Sequence, residues 1–119
     1  MDDAGRSSAA RLSGIATNPG RNMPDAFFNI RRSFQAREIL IALEKHGSGN
    51  DALFYAWLGT IGLGPSLSDL AALLDQLEAD GFIVTERIEQ RRVIKPTRAG
   101  IEIAQARIQA DWIARADPE

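Results

Sequence analysis

One histidine, sixteen carboxylates and no cysteine are what this 119-residue chain offers to catalysis or metal binding. The histidine, His46, falls at the end of a predicted helix, where the helix dipole favours a cation. A general base needs a nucleophile and an orienting carboxylate within reach, and no Ser or Asp can be assigned to His46 in that role. No cluster of His and carboxylate has metal-ligand spacing, and the absence of Cys removes thiolate zinc sites and disulfides. No catalytic residue, metal ligand or cofactor site is therefore expected, and the chain is not read as an enzyme. Gly59-x-x-Gly62-x-Gly64 has the glycine density of a phosphate loop. No strand precedes it and no Lys-Ser/Thr follows, so it reads as a helix end and a turn. Phe54, Tyr55 and Trp57 read as core aromatics rather than a ligand cage.

The chemistry that remains is electrostatic. Formal net charge is −2, so attraction to nucleic acid requires a local patch. Residues Phe82 to Arg98 contain Arg87, Arg91, Arg92, Lys95 and Arg98 against Glu86 and Glu89, a net +3. Residues Ser66 to Gly81 contain Asp69, Asp75, Glu78 and Asp80 and no Lys or Arg, a net −4. A second basic group, Arg31, Arg32 and Arg37, reads as a solvated helix face. Arg6, Arg11 and Arg21 lie in a polar N-terminal stretch of the kind that can track a DNA groove.

Hydrophobic periodicity supplies the elements that must position these charges. Residues 1–24 are small and polar with Asn-Pro-Gly punctuation, and read as a flexible arm. Phe27, Phe28 and Ile30 then provide apolar anchors, either opening the first helix or forming a separate short element. Ser33 is a good N-cap, and Ala36, Ile39, Leu40 and Leu43 share one helical face, predicting a helix over Ser33–His46 stopped at Gly47. Ser48 or Asn50 caps a second helix over Asn50–Ile61 with Leu53, Ala56, Trp57 and Ile61 as its buried stripe. Ser66 with Asp69 forms a capping-box pattern ahead of a third helix over Leu67–Asp80. Its apolar face is Leu67, Leu70, Leu74 and Leu77, with Leu73 beside them. The period then changes to two: "FIVTERIEQRRVIKPT" predicts an antiparallel hairpin over Ile83–Pro96 turning at Glu89–Gln90. Thr97 caps a last helix over Arg98–Ala114.

Helix, helix, helix, hairpin, helix is the order of the winged helix-turn-helix. The fold class expected is thus mainly α with a β-hairpin: a domain over residues 25–116 following the arm. In DNA-binding members of that fold the third helix enters the major groove and the hairpin is the wing. Arg87, Arg91, Arg92 and Lys95 on the wing are then candidate phosphate contacts. Ser66, Ser68 and Gln76 are the third-helix positions able to read a base without a charge penalty. Ile101, Ile108 and Trp112, spaced by seven and four, are expected to join two copies through the last helix.

The stretch "REILIALEKHG…ALFYAWLGTIGLGPSLSDLAALLDQLEADGFIVTERIEQRRVIKPTRAGIEIAQARIQ" resembles the small ArsR-like winged-helix proteins of Mu-like bacteriophages and prophages. Ile39-Leu40, Gly62-Leu63 before Ser66, Leu77–Gly81 and Thr97-x-x-Gly100 carry the resemblance, which covers Arg37 to Gln109. It implies a transcriptional regulator of phage or prophage origin, binding double-stranded DNA as a homodimer. The family pattern opens the third helix Ser-Arg-Asp-Arg-Leu-Arg. Here Leu67, Asp69 and Ala71 stand where arginine is implied. That departure keeps a second expectation open: an interaction module whose acidic third helix meets a protein partner instead of DNA. No apolar run approaches the ~18 residues of a membrane span, and no signal-peptide h-region is evident, so a cytoplasmic location is expected.

Overall fold

The computed structural model describes residues 19–116, with side chains from residue 26 onward. The chain divides into two units, residues 1–30 and 31–119. In the first, the described residues begin a helix, α1, which runs Pro19–His46. Phe27, Phe28 and Ile30, expected as anchors, are exposed. Helix α1 starts well before the expected Ser33. Proline suits a first helical position because its φ is already helical and its missing N–H would have no partner there. Residues 1–18 of the expected arm lie outside the described residues, and 19–24 are helical backbone.

The second unit holds the rest of α1 and six further elements: β1 (Gly49–Asn50), α2 (Asp51–Thr60), α3 (Leu67–Ala79), β2 (Ile83–Ile88), β3 (Arg91–Pro96) and α4 (Arg98–Ala104). The strands form an antiparallel sheet in the order β1-β3-β2. Its hairpin register pairs Ile83 with Pro96 and Ile88 with Arg91, which places the turn at Glu89–Gln90 as expected. Glu89 takes a positive φ of 56° in that turn. Strand β1 was not expected. Two residues are too few to show alternation, and Asn50 also serves α2, its side chain accepting from Leu53 N at 2.8 Å.

Local chemistry explains the boundaries. Gly47 and Gly81 end α1 and α3 with φ of 88° and 84°, a region that costs glycine nothing. Ser66 Oγ accepts from Asp69 N at 3.0 Å and Thr97 Oγ1 from Gly100 N at 3.1 Å, each supplying an acceptor for an otherwise unpaired first-turn N–H. The core joins Ala36, Ile39, Leu40 and Leu43 of α1 to Leu70, Leu73, Leu74 and Leu77 of α3, with Ile83 and Ile94 of the sheet. From α2 it takes Phe54 and Leu58; Leu53 and Ile61, expected in the stripe, are exposed. The α2 face is rotated by one residue because Phe54 inserts beside Gly49, where a Cβ would lie 2.6 Å from the ring. Leu67, expected on the apolar face of α3, is 67% exposed.

The last helix is short. It ends at Ala104, the backbone reverses through Ala106 at a φ of 61°, and the chain continues as turns. Ala114 N donates to Ser33 O at 3.2 Å, and Ile113 and Ala116 are buried. The expected helix over Arg98–Ala114 therefore holds only for its first seven residues.

Candidate nucleic-acid interface

The β2–β3 hairpin sorts its basic residues by the two-residue period of a strand. Register pairs Arg87 with Arg92 on the face shared by Ile83, Thr85 and Ile94, and Ile88 with Arg91 and Val84 with Lys95 on the other. The four residues expected as one phosphate-contacting set are thus divided between two faces. Two arginines directly opposite each other repel, and α3 supplies the compensation.

Arg92 is the residue whose placement differs most from expectation. Its Nη2 lies 2.8 Å from Asp75 Oδ1 and 3.2 Å from Glu78 Oε1, and its side chain is only 13% exposed. Its backbone N–H donates to Asp51 Oδ1 at 3.3 Å, tying β3 to the start of α2. Arg92 is therefore committed to holding the hairpin against α2 and α3. Parity contained this signal: Arg92 is two residues from the core residue Ile94 and must face the same side.

Three acidic residues at and after the middle of α3 have partners: Asp75 and Glu78 on Arg92, and Asp80 on Trp112. Glu78 accepts from Thr85 Oγ1 at 2.9 Å and Thr85 N at 3.2 Å, in addition to Arg92. The Thr85 hydroxyl holds its carboxyl below the ordinary range; desolvation opposes this, and the Thr85 N–H and Arg92 add to the lowering. Asp80 Oδ2 accepts from Trp112 Nε1 at 2.7 Å. Neither Glu78 nor Asp80 simply faces solvent. Asp69 stays exposed in the first turn of α3, where the positive end of the helix favours it.

Arg87, Arg91 and Lys95 are exposed, and among the described residues no carboxylate lies within ion-pair distance of them. Arg87 and Arg91 border a cleft of about 390 Å³ whose other walls include Tyr55, Leu67 and Ala71. Of the third-helix candidates, Ser66 is used as the N-cap, Ser68 is exposed with its Oγ 3.3 Å from Ser66 Oγ, and Gln76 is half-buried. The side chains of Arg6, Arg11 and Arg21 lie outside the described residues.

The second basic group is not a solvated face. Arg31 Nη2 donates to Gly64 O at 3.2 Å, Arg32 Nη2 to Ala72 O at 3.4 Å, and Arg37 Nε to Glu38 at 3.0 Å. Arg32 also lies over the Trp112 ring at 5.4 Å. Trp112 is thus held between Arg32 and Asp80 of its own chain. Ile101 is half-buried and Ile108 exposed, and with α4 ending at Ala104 the three residues expected at a dimer interface do not form one helical stripe.

His46 is exposed in the last turn of α1. Among the described residues no three His, Cys, Asp or Glu are grouped to hold a metal ion. Among the same residues no helix is long and apolar enough to cross a membrane. No protein-family model, curated protein or solved structure matches this chain.

Proposed function

We propose that the chain is a winged helix-turn-helix protein that binds double-stranded DNA, a regulator of the class its resemblance to the Mu-like phage proteins implies. In this reading β2–β3 is the wing, and Arg87, Arg91 and Lys95 hold phosphates. Arg92 positions the wing and does not contact DNA. One observation carries the reading: Arg92 of the wing pairs with both Asp75 and Glu78, so part of the acidity of α3 is offset within the fold. Repulsion between those carboxylates and phosphates, the main argument against DNA, is weakened accordingly. The same ion pair weakens the alternative of a basic protein partner at α3, since Asp75 and Glu78 share Arg92 as a cation and Asp80, the C-cap, is hydrogen-bonded to Trp112.

Anisotropy titration against mixed-sequence duplex DNA over a range of salt tests this. Each phosphate contact contributes about 0.9 to the log–log salt slope, so changing Arg87 and Arg91 together to Ala should flatten it by about 1.8 per chain. Absence of wild-type binding at low salt refutes the DNA reading. An unchanged slope in the double variant refutes the role given to the wing.

A further inference from the structure

We infer that the groove between the C-terminal part of α1 and α2 binds a small amphipathic carboxylate with an apolar body. The groove encloses about 390 Å³, within the ~300–1,000 Å³ typical of ligand sites. Ile41, Leu53, Phe54 and Trp57 form its apolar walls. Two of these walls, Phe54 and Trp57, are held by packing. Phe54 is buried on Gly49, where no side chain could fit, and meets Trp57 edge to face at 6.2 Å between centroids. Leu53, by contrast, is 56% exposed, which leaves apolar surface open on α2.

The charges at the groove are asymmetric, and that asymmetry selects the ligand. Its carboxylate, Glu38, is already bound to Arg37 at 3.0 Å. Lys45 and His46, in the last turn of α1, are exposed, and among the described residues no carboxylate lies within ion-pair distance of either. An apolar floor with an unpaired ammonium at its rim complements a molecule with one anionic head. A charge-assisted hydrogen bond from Lys45 orients the head while the aromatic walls take the body.

Titrating 2-naphthoate and its uncharged analogue 2-naphthalenemethanol into ¹⁵N-labelled protein tests the inference. Saturable shifts are expected at the Trp57 indole N–H and at the amides of Lys45 and Leu53. The carboxylate should bind up to about fivefold more tightly than the alcohol, the upper value of one exposed ion pair. Lys45→Gln should remove most of that difference. Leu53→Glu, at an exposed position, should abolish binding while the protein stays folded by its own spectrum. Equal affinity for the two probes overturns the anionic assignment. Shifts confined to other residues, or none at millimolar probe, overturn the site. Groove signals that broaden with protein concentration alone would instead assign the groove to a second copy and overturn the inference.

Discussion

Arg92 of the hairpin and Asp75 of the third helix are joined at 2.8 Å, one side chain nearly buried and the other 71% exposed. The pair links two elements that meet only in the tertiary structure. Its exposure on the acid side limits its worth, since exposed pairs contribute roughly 0.2–1 kcal/mol. A double-mutant cycle with Arg92→Ala and Asp75→Ala is expected to give a coupling in that range that shrinks with added salt. Zero coupling at low salt would show the pair to be incidental.

The same pair predicts opposite effects on stability and on DNA affinity. Asp75→Asn removes part of the attraction that holds Arg92, so urea unfolding should show a slightly less stable protein, by under about 1 kcal/mol. It also removes a negative charge near the phosphates, so affinity for duplex DNA should rise. A variant that is both less stable and weaker in binding would contradict the proposed balance of charge.

Glu78 should contribute an acid-sensitive share of stability. Its carboxyl is held below the ordinary range by Thr85 and Arg92. A group whose folded value is depressed stabilises the fold above its unfolded value, about 4.3 for glutamate, and that share is lost as pH falls through the folded value. The stability difference between wild type and Glu78→Gln should therefore be largest near neutrality and should narrow in acid. Urea unfolding at neutral and acid pH measures it; a difference that widens in acid would reverse the sign and refute the assignment.

Among the described glycines, Gly100 leaves the least room for a side chain. A Cβ at this position would collide with the Phe82 carbonyl oxygen and press on Leu40. Overpacking of this kind costs about 1–3 kcal/mol. Gly100→Ala should lower the unfolding midpoint by a corresponding amount, and a neutral result would mean that α4 can shift away from β2.

Trp112 should behave as a residue of its own chain's interior. Trp112→Phe keeps the ring under Arg32 but loses the hydrogen bond to Asp80, a change worth about 0.5–1.5 kcal/mol. Sedimentation mass should be the same as for wild type at every concentration. A loss of mass in the variant would restore Trp112 to an interface between copies.

Much of the fold was legible in the residues because its signals are local. Asn50, Ser66 and Thr97 cap helices through their own side chains, and Gly47 and Gly81 end them through backbone conformations that need no distant partner. The hairpin over Ile83–Pro96 and its turn at Glu89–Gln90 follow from alternation and β-branching within a single stretch. The leucines of α3 and the α1 stripe from Ala36 to Leu43 declare their faces by spacing alone, Leu67 excepted.

What required the tertiary structure was the use made of each charge and of the segment after α4. Composition counts Asp75 and Glu78 as negative surface, and only the packing of hairpin on helix brings Arg92 to pair with them. Strand β1 exists because β3 is there to pair with it. Ile101, Ile108 and Trp112 have helical spacing, but the chain leaves the helix after Ala104 and places Trp112 between Arg32 and Asp80, which lie far from it in sequence. Caps, turns and amphipathic faces depend on neighbours a few residues away, so the amino-acid order determines them. Ion pairs and the docked segment after α4 depend on partners tens of residues distant, and only the assembled core decides which of them meet.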